Sequence, residues 1–298
     1  EGVMTRMIQS DPGLEGVGLV IFDEFHERSL QADLALALAL QTQSLLRDDL
    51  RLLVMSATLD DERLTTLLGS QSVVRSEGVV HPVETRYVNR GRSERVEPAV
   101  AATIHRALRD DKGDLLVFLP GAAEIRRVEA LLATSLPAGV TTHQLHGMLP
   151  NDAQELAIAP SVPGRRKVVL ASSIAETSLT IEGIRVVIDS GLQRRPRFSP
   201  RSGMTRLETM MVSRSSADQR RGRAGRTAPG ICYRLWNEGE YLLPHTPPEI
   251  VDADLTTLAL ELASWGSSVW GWLDPPPEAH LAQGRDLLRQ LGALDSDD

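Results

Sequence analysis

The chain has 298 residues, 42% hydrophobic and 24% charged, which places it among ordinary globular proteins of about two domains. Its single cysteine, Cys232, excludes an internal disulfide framework and a multi-cysteine metal site, so a reducing compartment, the cytoplasm, is the expected home. No apolar run nears the roughly 18 residues of a membrane helix and no secretory signal opens the chain, so no membrane partner is expected.

In chain order, short leucine- and valine-rich runs alternate with longer segments of helical period, the pattern of parallel strands joined by crossover helices. The runs "VGLVIF" (17–22), "RLLVM" (51–55), "DLLVFL" (114–119), "RKVVLA" (166–171) and "IRVVID" (184–189) predict strands of an α/β fold. Their near-continuous apolar character fits a sheet covered on both faces. Between them, "SLQADLALALALQTQSLL" and "GAAEIRRVEALLATSL" show the three- and four-residue spacing of surface helices. The polar, proline-flanked stretch 81–98 reads as a connection, with a domain boundary near Arg92. After "YLLPHTPPEI" two helix-like segments follow without strands, so a third, helical unit is expected from Pro247, with little core of its own.

The net charge of −8 argues weakly against nucleic acid, but from Arg194 to Arg226 ten arginines face only two acids, Glu208 and Asp218. Such a stripe is either a solvated face or a nucleic-acid footprint. Asp23 and Glu24 close the first strand, at the sheet edge where open α/β folds bind ligands. There Asp23 could hold Mg²⁺ and Glu24 could orient an attacking water, because phosphoryl transfer needs positioning and charge neutralisation. An acidic turn is the alternative for the pair alone. In "QRRGRAGR" (219–226), Arg223 and Arg226 are three apart, hence on one helix face, where they could stabilise charge on a transferred phosphate.

A zinc-protease reading of "HER" fails because the position four residues after His26 is Leu30. His143 and His146 read as packing or local capping, and Trp236, Trp265, Trp270 and Trp272 read as core.

Taken together, "DEFH", "SAT", "LVFLPG", "IAETSLTIEG" and "QRRGRAGR", in this order, resemble motifs II to VI of superfamily 2 DEAH/RHA helicases, and "DEFHERSLQADLALAL" resembles the bacterial HrpB type. The resemblance implies two RecA-like motor domains, the first at 1–92 and lacking its N-terminal part, the second at 93–246, followed by the start of a helical winged-helix or ratchet-like region at 247–298. It implies ATP and Mg²⁺ as cofactors, with Asp23 and Glu24 as metal and catalytic carboxylates. His26 would reach Gln219 or the phosphates, and Ser56 and Thr58 would couple nucleotide state to movement. Thr180 and Glu182 would lie at the ribose, and Arg223 and Arg226 would be arginine fingers. Glu182 stands where aspartate is usual, Ser172 and Ser173 stand for threonine and asparagine, and Ile158 occupies the place of a base-stacking phenylalanine.

Single-stranded or structured RNA would be held mainly by its backbone, at Glu1-Gly2, Pro120-Gly121 and Thr177, with DNA a second candidate. Arg194, Arg195 and Arg197, in a segment resembling the family's β-hairpin, would add basic contacts. No G-x-x-x-x-G-K-[ST] occurs in the chain. The resemblance places that phosphate loop upstream of Glu1, so an ATP-dependent RNA helicase present as a fragment, inactive alone, is expected. The alternative is a non-catalytic RNA-binding or scaffold piece of the same fold.

Overall fold

A computed structural model describes residues 2–57, 62–69, 72–76, 78, 81–91, 94–176, 179–266 and 269–295. The expected boundary at Arg92 lies outside the described residues. The chain divides into two compact units, one of residues 1–76, 196–207 and 247–298, the other of 77–195 and 208–246.

The second unit is built on a six-stranded parallel sheet. Its strands, in chain order, are β3 (Val83–Tyr87), β4 (Asp114–Phe118), β5 (Val140–Leu145), β6 (Arg166–Ala171), β7 (Ile184–Asp189) and β10 (Gly230–Arg234), arranged β3-β10-β7-β4-β6-β5. The middle strands β7, β4 and β6 are the three apolar runs, and side-chain alternation sends Leu115 and Val117 to one face and Leu116 and Phe118 to the other. Helices α4 (Val96–Asp110) and α5 (Ala122–Leu132) cover the first face through Val100, Ile104, Ile125 and Val128. On the second face Leu116 and Phe118 pack with Val169, Val187 and Cys232, and with Ala157 of α6 (Asn151–Ile158).

The edge strand β3 differs from the sequence expectation. The stretch 81–98 is no simple connection, because Val83–Tyr87 pairs in parallel with Gly230–Arg234 and belongs to this sheet. Its position at the sheet edge leaves only Val83 buried, so the polar "VETRY" lacks the apolar signature. A Cβ on Gly225 would lie 2.6 Å from the His81 carbonyl oxygen, so the chain that leads into β3 packs where only a glycine fits.

In the first unit, β1 (Leu19–Phe22) and β2 (Arg51–Val54) pair in parallel, with Leu19 opposite Arg51 and Phe22 opposite Val54. Helix α2 (Leu30–Leu45), capped by Ser29 whose side chain accepts from Ala32 N, follows the first strand. It is not the surface helix its spacing suggested. Residues 32 to 42 are buried without a break, as in a helix enclosed on all sides.

The enclosing elements explain this. Ile8 of α1 (Gly2–Ser10) packs into the same core as Ile250 of α8 (Glu249–Asp252), Leu258 of α9 (Thr256–Trp265) and Leu281 and Leu288 of α10 (Glu278–Gln290). Residues 247–298 therefore share the core of 1–76 and do not form a third unit. Polar groups on α2 are satisfied within this core: Asp33 by Arg28, Thr42 Oγ1 by the Pro12 carbonyl, Gln41 by Trp265 Nε1 at 3.3 Å. Trp265 and Trp272 pack against the same cluster, Trp236 is buried in the second unit, and Trp270 is 46% exposed.

Strands β8 (Leu192–Ser199) and β9 (Met204–Met211) form a separate two-stranded sheet, and helix α7 (Arg214–Gly222) follows. No described helix is long and apolar enough to cross a membrane.

Candidate functional site

Strand β1 ends at Phe22, and residues 23–28 turn sharply. Glu24 takes the left-handed backbone conformation (φ 51°, ψ 35°), and Arg28 does the same after a single 3₁₀ turn over Phe25–Glu27. For a residue with a Cβ this costs on the order of 1–2 kcal/mol. The turn is held by Phe25, which is 2% exposed, packs edge-on against Phe22 at 6.3 Å, and lies under the Arg28 guanidinium at 5.7 Å. Phe25 is thus an anchor whose burial leaves the flanking carboxylates outside.

Asp23 is exposed, and its Oδ1 accepts from Glu24 N at 2.8 Å. The end of β2 is stitched to this turn: Met55 N donates to Phe22 O at 2.7 Å and Phe25 N donates to Met55 O at 3.0 Å. Ala57 N then donates to His26 Nδ1 at 3.3 Å, while Glu24 Oε2 stands 3.4 Å from the same nitrogen. With Nδ1 accepting from Ala57, the proton of a neutral ring lies on Nε2, and the contact with Glu24 becomes an ion pair only on protonation. The structure so brings Asp23, Glu24, His26 and Ser56 to one strand edge. Thr58 lies outside the described residues.

The Asp23–Glu24 donor set is oxygen alone, and the described residues hold no cluster of three or more His, Cys, Asp or Glu side chains fit for a metal. That fits a hard ion such as Mg²⁺, which takes one or two carboxylates and keeps its other positions for water or phosphate, and not zinc.

In the second unit, the loop after β6 and the segment after α7 meet. Arg226, exposed, donates from Nη1 to Thr180 Oγ1 at 2.6 Å. Arg223 is buried, donating from Nε to the Glu176 carbonyl at 2.9 Å and from Nη1 to the Leu179 carbonyl at 2.5 Å. Gln219 is half-buried on α7 and Glu182 is exposed in the loop. Thr177 lies outside the described residues. The two arginines differ in kind: one clamps the loop's backbone, the other faces outward.

Arg220, which the motif reading passed over, is the most enclosed charge of this segment. Its side chain is 1% exposed, with Nη1 2.8 Å from Asp189 Oδ1, Nε 3.0 Å from Glu176 Oε2 and the guanidinium 4.9 Å above the Phe118 ring. Glu176 thereby holds Arg220 with its carboxylate and Arg223 with its carbonyl, tying the Thr180 loop to α7. The available signal was an aspartate closing the strand "IRVVI", apolar apart from Arg185, an acid with no reason to be buried unless paired.

The residues expected to touch RNA are partly assembled. Gly121 caps α5, and the Arg194 guanidinium approaches so closely that a Cβ at Gly121 would be 3.0 Å from Nη1. Arg194 also donates to Glu124 Oε1 at 3.1 Å. Pro120 is buried, Arg197 lies 3.9 Å from Asp252, and Gly2 is exposed at the start of α1. Ile158 packs against the second-face core, and His143 sits within β5, its Nε2 3.1 Å from Thr141 Oγ1. Burial pushes both His143 and His146 below the ordinary imidazole range.

The helicase conserved C-terminal domain family matches residues 99–228. Over 302 residues the chain is 52% identical to the ATP-dependent RNA helicase HrpB of Escherichia coli (strain K12), covering all of this chain and 37% of that protein. It is 37% identical to the pre-mRNA-splicing factor ATP-dependent RNA helicase prp22 of Schizosaccharomyces pombe, covering all of this chain and 26% of prp22. The chain thus spans well under half the length of these relatives. A crystal structure of the E. coli DEAH/RHA helicase HrpB matches with a TM-score of 0.93 at 52% identity, over all of this chain and 39% of that one. The six-stranded parallel sheet is that of a helicase C-terminal RecA-like domain, and the whole chain is similar in sequence and fold to a segment of the DEAH/RHA helicase HrpB.

Proposed function

We propose that this chain carries the catalytic carboxylates and the arginine segment of an ATP-dependent RNA helicase. The observation that carries the reading is the turn after β1, which spends backbone strain and a buried phenylalanine to hold Asp23 and Glu24 outward beside Ser56 and Ala57. The relatives from E. coli and S. pombe are both named ATP-dependent RNA helicases.

In this reading Asp23 holds Mg²⁺, which when bound neutralises charge on the phosphates. Glu24 accepts the proton of the attacking water and holds it at a carboxylate oxygen. Arg226 stabilises charge developing on the transferred group, Arg223 fixes the loop that carries Thr180, and Glu182 faces the ribose. His26 orders the Glu24 side chain against the Ala57 segment, Gln219 meets the phosphate region, and Ser56 and Thr58 couple the nucleotide's state to movement. RNA is held through its backbone by Gly2, Pro120, Gly121, Thr177, Arg194, Arg195 and Arg197, which implies little sequence preference and marked salt dependence. The six-stranded unit is the second motor domain, and residues 1–76 belong to the first. Turnover is proposed for the full-length protein, since a glycine-rich phosphate cradle with its lysine does not occur in these 298 residues. The cytoplasm is the proposed location.

Glu24→Gln in the full-length protein tests this. Loss of the general base lowers RNA-stimulated turnover by about 10²- to 10⁴-fold with ATP binding retained. Turnover near the parent value would remove Glu24, and the proposed mechanism with it.

A further inference from the structure

The turn that presents Asp23 and Glu24 is gripped by residues 219 to 246 positions later in the chain. Glu249 N donates to the Arg28 carbonyl at 3.0 Å, and Glu249 Oε2 accepts from Leu30 N at 2.8 Å, so one residue of α8 brackets the end of the turn on both sides. The Arg28 guanidinium is shared: Nε and Nη2 reach Asp33 at 2.9 and 3.1 Å, and Nη2 also reaches Asp274 Oδ2 at 2.7 Å.

The other oxygen of Asp274 receives a second arginine. Arg63, on α3 (Glu62–Leu67), donates to Asp274 Oδ1 at 2.8 Å and to the Leu273 carbonyl. Arg28 closes the turn after β1, and Arg63 follows the segment after β2 that is stitched to that turn. One carboxylate therefore ties together both segments that border the candidate site. Burial works against ionisation of Asp274, but hydrogen bonds from Arg63 and Arg28 outweigh it, and the carboxyl is held below its ordinary range.

We propose that Asp274 is a positioning residue for the Asp23–Glu24 turn, through which the segment after α9 sets the geometry of the two carboxylates. It touches neither nucleotide nor RNA and acts through Arg28 and Arg63. The proposal rests on the reading of Asp23 and Glu24 as the reacting carboxylates. Its energetic basis is that Arg28 is nearly enclosed, 12% exposed, so losing one of two carboxylates leaves a buried donor to find another acceptor, and the left-handed backbone at Arg28 loses a restraint. Misplacement of catalytic groups by about 1 Å suffices for a hundredfold loss in rate.

The test uses the full-length protein and compares Asp274→Asn, Asp274→Glu and Glu24→Gln. Asp274→Asn is expected to lower RNA-stimulated kcat about tenfold or more, with KM for ATP within about twofold, and to speed amide exchange at Phe25 and Arg28 about tenfold. Asp274→Glu, which keeps the charge, restores much of both. A merely structural carboxylate would lower Tm while kcat per folded molecule and turn exchange stayed at the parent values, and that result overturns the proposal. Should Asp274→Asn not fold, Arg63→Ala removes one arginine from the junction at a site 59% exposed, and an unchanged kcat there overturns it equally. If turnover survives Glu24→Gln, the functional reading falls and this inference with it. If Glu24→Gln abolishes turnover while Asp274→Asn does not alter it, only this inference falls.

Discussion

Asp189→Asn removes one charge from a site that water does not reach. The parent places Arg220 and Asp189 side chains at 1% and 0% exposure, 2.8 Å apart, with Glu176 at 3.0 Å as the second acid. Asparagine keeps the acceptor for Gly191 N, now at 2.9 Å from Asp189 Oδ1, but halves the negative charge around the guanidinium. Its amide nitrogen would sit near where Oδ2 is buried with no hydrogen-bond partner among the described residues. Breaking a buried pair costs about 3–5 kcal/mol, and the surviving Glu176 places this case near the lower end, about 3 kcal/mol.

For a domain of 150–250 residues each kcal/mol moves Tm by about 2–4 °C, so the melt should fall by about 6–12 °C. Calorimetry and far-ultraviolet circular dichroism on the whole chain give the measurement. Asp286→Asn is the control, because Asp286 and Arg289 form a solvent-exposed pair at 3.0 Å whose removal costs about 0–0.5 kcal/mol. A melt for Asp189→Asn no lower than that of the control would show that the Arg220 cluster does not hold the sheet to α7.

Arg226→Ala should lower single-turnover hydrolysis in the full-length protein by about 10³-fold or more while leaving Tm within about 2 °C, because the side chain is exposed; an undiminished rate would exclude its transition-state role. Replacing Arg194, Arg195 and Arg197 by alanine should weaken RNA binding and reduce the slope of log K against log salt by up to about 2, at about 0.7 per phosphate contact on a single strand; an unchanged slope would place RNA elsewhere. Acid titration reads the Asp274 junction. Its folded-state carboxyl lies below the ordinary 3.8, so its contribution is complete above that pH and is lost as pH falls through the depressed value. The stability gap between the parent and Asp274→Asn should therefore narrow below pH 3.8, and a constant gap would refute the ionic account.

How much of this was legible beforehand depended on which residues were buried on every side. β4, β6 and β7 announced themselves because both faces are covered and their interior positions, such as Leu115, Val169 and Val187, are apolar. β3 did not, since an edge strand needs only one apolar face, and "VETRY" carries a glutamate and an arginine that pair with each other. In α2, periodicity misled because Gln31, Asp33 and Gln41 look like a wet face; Asp33 and Gln41 are in fact buried and matched by Arg28 and Trp265, partners 5 and 224 residues away. Asp23 and Glu24 follow a strand end and Thr180 lies in a loop, whereas the spacing that put Arg223 and Arg226 on one helix face did not separate Arg223, bound to carbonyls, from Arg226, which is exposed. That distinction depends on where the Glu176 and Leu179 carbonyls point, and backbone direction is not written in residue types.

The enclosure of α2 also has a temporal side. Its leucines are covered by Ile250, Leu258, Leu281 and Leu288, residues that a ribosome adds about 200 positions later. At roughly 5–20 residues per second, that helix waits some 10–40 s for its cover. During this interval an almost wholly apolar cylinder has no native partner on one side, while the strands of the six-stranded sheet, encoded between the two, can pair with one another in the meantime. The nascent chain should therefore lean on holdase chaperones over this window, and refolding of the first unit should be the slower and more aggregation-prone of the two.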